Sequence, residues 1–197
     1  MRLLGLACVL LAGCASTTGS PGSSRETTAP ASFDARQFRQ PAVLVRVEVR
    51  QPASSRDAEA IPDDYQGLLL EGLNAKAIVP RDVTIVAARD RLDHSRALAR
   101  AREVGADHAL LVDVSVSHVQ TPFCAGTRRA FSAAALNVAQ EVVVIRAADG
   151  RVGWKAERLE ATSVEPDCET PRDSRRRSTN ETLQAAIDRL LTRLLGR

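Results

Sequence analysis

HALLVDVSVSHV, residues 108–119, decides how this chain folds. Leu110, Val112, Val114 and Val116 fall on one side of an extended backbone, and Asp113, Ser115 and Ser117 fall on the other. That period of two is the mark of a strand with one buried face and one wet face. Upstream, VLVRVEVR (residues 43–50) alternates in the same way, with Arg46, Glu48 and Arg50 on its polar side. Downstream, RAFSAAALNVAQEVVVIRA (residues 129–147) reads as a long strand whose alanine-rich start is also compatible with helix. Asp149-Gly150 is a hairpin signal, and VGWKAERLEATS (residues 152–163) returns as the partner strand.

The remaining segments alternate with these strands. QPASSRDAEAIP (residues 51–62) reads as a loop, after which Asp63 caps a helix through Tyr65, Leu69 and Leu73 to Ala77. Gly67 and Gly72 each weaken that helix by about 1 kcal/mol. DVTIVAA (residues 82–88) is a short strand. Asp93 is a good cap for HSRALARAREV (residues 94–104), and Gly105 is a good stop. Ser178 and Glu181 form a capping box before a last helix with Leu183, Ile187, Leu190, Leu191 and Leu194 on one face. The prediction is an α+β two-layer fold in the order β-α-β-α-β-β-β-α. Its mixed sheet has about five strands, and its helices lie mainly on one face.

Composition suits a single globular domain over residues 33–197: 44% of the chain is hydrophobic and 26% charged. Aromatic residues are only 3%, so the core must be built from Val, Leu, Ile and Ala. The formal net charge of +3 is too small to imply a nucleic-acid partner. Before the domain, residues 14–32 are small, polar and interrupted by Pro and Gly. Such a segment cannot bury enough apolar surface to offset its ordering entropy. As a flexible tether it has a mean reach of about 20–25 Å.

Residues 1–13 carry Arg2, an apolar run from Leu3 to Leu11, and a small-residue end. The run is shorter than the roughly 20 residues of a membrane-spanning helix, and its pattern is that of a secretory signal. Leu11-Ala12-Gly13-Cys14 resembles the bacterial lipobox. That resemblance implies cleavage before Cys14 and lipidation of its sulfur, which anchors the chain without spanning the bilayer. Ala15 stands where lipoproteins retained at the inner membrane carry Asp. The implied address is therefore the outer membrane, facing the periplasm.

Two further stretches resemble known envelope proteins. ALARAREVGADHALLVDVSV is similar to the helix–Gly-Ala-Asp–strand segment of TolB amino-terminal-type periplasmic domains. AADGRVGWKAE is similar to the Asp-Gly-x-Val-x-Trp hairpin of the curli-secretion lipoprotein group. That group's relatives include lipoproteins that activate penicillin-binding proteins and lipoproteins of exopolysaccharide export. The resemblance implies a non-enzymatic module that docks onto or scaffolds an envelope assembly. No two hairpins with an apolar outward face are seen, which argues against a pore.

Few residues carry candidate chemistry. Cys124 and Cys168 remain after processing, and the meander puts their loops at one end of the sheet, so a disulfide between them is expected. The bridge would close about 45 residues and stabilise by roughly 4 kcal/mol. It would gather Arg128 and Arg129 with Arg172, Arg175, Arg176 and Arg177, either as an anion-binding patch or as a solvated loop. His94, His108 and His118 are the only histidines and are assigned structural roles. No metal, phosphate-loop or nucleophile motif appears, so no catalytic residue, metal or cofactor is assigned. Trp154 is placed in the sheet core or under the hairpin.

Two functional readings follow. The first is docking through the polar sheet face of Asp113, Ser115, Asn137 and Glu141, or through the arginine loops. Its partners would be an envelope protein, an anionic glycan or lipid, or further copies of the chain. The second is envelope-glycan binding or hydrolysis with Asp113 and Glu141 as acid and base. A facing pair about 5–9 Å apart in a cleft would favour it.

Overall fold

A computed structural model describes residues 33–50, 55–123, 131–165 and 175–196. The elements are β1 (Ala42–Arg50), α1 (Ser55–Ala75), β2 (Asp82–Val86), α2 (His94–Glu103), β3 (His108–Phe123), β4 (Phe131–Arg146), β5 (Val152–Thr162), β6 (Val164–Glu165), β7 (Arg175–Arg176) and α3 (Thr179–Leu195). The main sheet has the order β2-β1-β3-β4-β5, and β6 pairs with β7 in a small second sheet. β1 is parallel to β2 and β3, whereas β3, β4 and β5 form an antiparallel meander.

This is the expected α+β arrangement with a mixed five-stranded sheet. The alanine-rich stretch of β4 is strand throughout. α1 and α3 lie on one face of the sheet, over Val43, Val45, Val47, Leu110, Val112, Val114, Val138, Val142 and Val144. α2 lies on the opposite face, over Ala42, Leu44, Ala109, Leu111 and Ile145. Strand order explains the split. The crossover β1-α1-β2 steps one way along the sheet, and β2-α2-β3 steps back across β1. Right-handed connections in opposite directions put their helices on opposite faces.

α1 starts at Ser55 and runs through Pro62, so residues 55–62 are helix and not loop. Proline interrupts a helix locally because it lacks an N–H donor. Here the buried row Ile61, Tyr65, Leu69 and Leu73 continues across the proline at a spacing of four and holds the helix on the sheet. Gly72 marks the crossing with α3: a Cβ there would lie 2.8 Å from Leu191 Cδ1 and 3.2 Å from Ile187 Cγ2. A buried polar bridge ties both helices to the sheet. Tyr65 Oη donates to Gln140 Oε1 at 2.5 Å, and Gln140 Nε2 donates to the Ala186 carbonyl at 2.8 Å. Burial pushes the Tyr65 phenol well above its usual range.

The end of the sheet where β1, β2 and β3 begin is the entry end, because the chain joins the fold there. Phe33 meets Phe38 and His108 with ring centroids 6.1 Å from each. The Asp107 carboxylate accepts from the backbone amides of Arg39 and Gln40, both at 2.7 Å, and lies 3.1 Å from His108 Nδ1. The β4–β5 connection turns at this end, with Gly150 in the left-handed region at φ +70. Trp154 is buried in the sheet core. At the far end, β1 stops at the Arg50–Ser117 pair and β5 at the Asn137–Thr162 pair. β3 and β4 continue past these pairs to the Phe123–Phe131 pair as a two-stranded ribbon.

Candidate functional site

α2 has 10 residues, a length of about 15 Å, and covers only the entry half of its sheet face. Along each strand the residues on that face change character where the cover of α2 stops, at its amino-terminal end. Leu44 gives way to Arg46, Glu48 and Arg50 on β1. Leu111 gives way to Asp113, Ser115 and Ser117 on β3, and Val143 to Glu141, Ala139 and Asn137 on β4. These side chains share a face because pairing puts Arg46 beside Asp113, Ser115 beside Ala139, and Ser117 beside Asn137. A register shift between Gln140 and Val142 leaves Glu157 and Arg158 opposite Glu141, and such a bulge re-aims the strand's side chains.

The result is an open hollow of about 490 Å³ whose lining includes Arg46, Arg50, Asp113, Ser115, Ser117, Asn137, Ala139, Glu141 and Arg158. Serine and alanine make a shallow floor, and longer charged side chains rise around it. Arg46 is the organiser. Its Nε donates to Asp113 Oδ1 at 2.9 Å and its Nη2 to Asp113 Oδ2 at 2.8 Å, a two-pronged match of guanidinium to carboxylate. Its Nη1 donates to the Ala88 carbonyl at 3.0 Å, which ties the face to the β2–α2 connection. The Asp113 carboxylate raises the Arg46 guanidinium above its ordinary value. Beside this pair, Arg50 hydrogen-bonds Glu48 and holds its carboxyl below the usual range, helped by the charge of Arg46. Arg158 pairs with Glu160 at 2.5 Å.

Asp113, Ser115, Asn137 and Glu141 are therefore brought to one surface, with Asp113 and Glu141 directly opposed in the β3–β4 ladder. Both Asp113 oxygens already accept from Arg46. The arrangement suits a rigid, hydrogen-bonding surface better than a pair of carboxyls exchanging protons with a substrate. Among the described residues no cluster of His, Cys, Asp and Glu is placed to hold a metal. His94 opens α2, His108 is buried against Asp107, and His118 lies on β3.

Arg46, Arg50 and Arg158 are missing from the sequence-derived site. The signal for the first two is present in VLVRVEVR, whose polar side is Arg46, Glu48 and Arg50. Their place beside Asp113 depends on the parallel β1–β3 pairing, which alternation alone does not encode.

The second group of candidates is split. Arg175 and Arg176 form β7 opposite Glu165 and Val164, and the Arg177 guanidinium donates to the Thr162 carbonyl at 3.3 Å. This places them at the far end. Arg128, Arg129, Arg172, Cys124 and Cys168 lie outside the described residues, as do Cys14 and the tether. No helix among the described residues is long and apolar enough to cross a membrane.

No family model and no curated protein matches the chain. Among solved structures it is similar to the PelC dodecamer from Paraburkholderia phytofirmans, with 16% identity over 87% of this chain and 95% of that chain and a TM-score of 0.44. It is also similar to the hypothetical protein CT253 from Chlamydia trachomatis, with 14% identity over 79% and 96% of the two chains and a TM-score of 0.38. A minor lipoprotein from Acinetobacter baumannii gives 12% identity over 78% and 89%, with a TM-score of 0.33.

Proposed function

We propose that this chain is a lipid-anchored, non-enzymatic periplasmic module that docks onto a cell-envelope assembly through the uncovered half of its sheet. The anchor is the Cys14 lipid, and the address is the periplasmic side of the outer membrane. The observation that carries the docking reading is the abrupt change from an apolar to a charged, hydrogen-bonding face where the cover of α2 stops, with Arg46 and Asp113 locked in a fixed pair. A partner meeting this face finds donors and acceptors already oriented, which favours selectivity. The far-end arginines, including Arg176, are a second contact for an anionic glycan or an acidic protein.

The test is photocrosslinking in intact envelopes from position 115 or 137, with position 188 on the outer side of α3 as the comparison. A discrete adduct from the sheet positions alone supports docking there. Equal labelling from all three positions, or none from the sheet, removes the assignment. The anchor is tested separately: Cys14→Ser should leave the membrane fraction. Glycan binding is the second reading, favoured by the size of the hollow beside Asp113 and Glu141. Retention of the purified protein on isolated envelope glycan, lost in Glu141→Gln and kept in Asp188→Asn, would favour it over protein docking.

A further inference from the structure

We propose that the entry end of the fold is a cationic surface that rests against the anionic headgroups of the bilayer to which the chain is tethered. The chain enters the domain at Phe33, whose ring is fixed between Phe38 and His108. Three residues later the surface becomes basic. Arg36, Arg39 and Lys76 line one hollow of about 670 Å³ between the entry segment and the carboxyl ends of α1 and α3. Arg81 belongs to the same end: its amide donates to the Pro41 carbonyl and its guanidinium to Gln40.

All four side chains are exposed, and none makes a salt bridge among the described residues. Two carboxylates lie nearby and keep their charge, but neither forms an ion pair with these four cations among the described residues. Asp107 is turned inward onto the amides of Arg39 and Gln40 and onto His108. Asp34 is the only acid lining the hollow, and it accepts from the Arg36 amide. The domain thus presents four cations that outnumber the two carboxylates beside them where the tether joins it, while the cations of the docking face are paired with Asp113, Glu48 and Glu160.

A tether with a mean reach of about 20–25 Å leaves this end free to meet the bilayer. Charges attract only within about a Debye length of 8 Å, so contact requires that this end, and not the far end, faces the lipid. Beside a lipid anchor, a basic patch adds an orienting contact with anionic headgroups. Seated in this way, the domain would point its β3–β4 ribbon and far-end arginines away from the anchoring membrane.

The inference uses the anchor reading to explain why this end meets lipid, so its test omits the anchor. Full-length chain carrying Cys14→Ser is sedimented with vesicles of phosphatidylcholine alone or with about one-third phosphatidylglycerol, a surface on which each basic residue adds about fivefold to binding. The neutral vesicles measure what the hydrophobic leader contributes. R36S/R39S/K76S should weaken the phosphatidylglycerol-dependent part by about ten- to a hundredfold. R89S/R91S/R96S removes the same charge from exposed positions toward the far end and should change it by less than about threefold. Melting curves confirm that both variants are folded. Equal losses from the two variants, or no loss from the first, would overturn the proposal. Neither result bears on whether Cys14 is lipidated.

Discussion

Gln140→Leu should destabilise the domain, and adding Tyr65→Phe should restore much of the loss. Gln140 and Tyr65 are both 0% exposed, with the amide between the Tyr65 hydroxyl on α1 and the Ala186 carbonyl on α3. Leucine fills a similar volume but leaves the Tyr65 hydroxyl as a buried donor without an acceptor, a cost of about 1–3 kcal/mol. The Ala186 carbonyl is less affected, because it sits inside α3, where the backbone amide four residues on is its regular partner. Tyr65→Phe alone strands the Gln140 oxygen at a similar cost. In the double variant neither orphan remains, and stability should return to within about 1 kcal/mol of the parent. The two single costs then exceed that of the double by about 1–6 kcal/mol, and the double variant is more stable than the glutamine single. Urea unfolding read by the fluorescence of Trp154, the only tryptophan, measures all four corners. A double variant as unstable as the sum of the singles would refute the bridge.

Gly67→Ala should stabilise by about 0.5–1 kcal/mol, since nothing lies within 4 Å of the added methyl and helix propensity improves. Gly72→Ala should instead be neutral or lose up to about 2 kcal/mol, because overpacking against Leu191 and Ile187 offsets the same gain; equal shifts in urea midpoint would contradict the α1–α3 crossing. Asp82 is held below its ordinary value chiefly by its hydrogen bonds from Arg100, so its contribution is present above the unfolded carboxyl value near 4 and is lost as pH falls through the lower folded value. Asp82→Asn should therefore be less stable than the parent at pH 6, with the gap closing toward pH 3 in paired melts. Trp154→Ala should cost about 3–5 kcal/mol, and a melt unchanged within about a degree would place the ring outside the core.

Local chemistry was legible and long-range placement was not. The alternation in residues 108–119 and 43–50 identifies β3 and β1, and the capping box at Ser178 and Glu181 locates the start of α3. Pro62 hides the first turns of α1, because the buried row from Ile61 to Leu73 outweighs a local interruption that sequence rules treat as a boundary. The side taken by α2 depends on β1 lying between β2 and β3, which no single segment states. The site follows the same division. Asp113, Ser115, Asn137 and Glu141 can be read from the polar rows of their own strands, whereas the Arg46 fork joins residues 67 apart and appears only once two strands are laid side by side.

The central position of β1 also sets an order of events during synthesis. β1 is made first, yet both of its edges wait for partners, and Asp113 follows Arg46 by 67 residues. At roughly 5–20 residues per second, that edge stays open for several seconds. An apolar strand with unpaired edges invites pairing with other chains. Arg46, Glu48 and Arg50 interrupt the apolar run AVLVRVEVR at every second position, and charges so placed act as gatekeepers against aggregation. The same three side chains that line the charged half of the sheet in the finished fold would protect the nascent strand until β3 arrives.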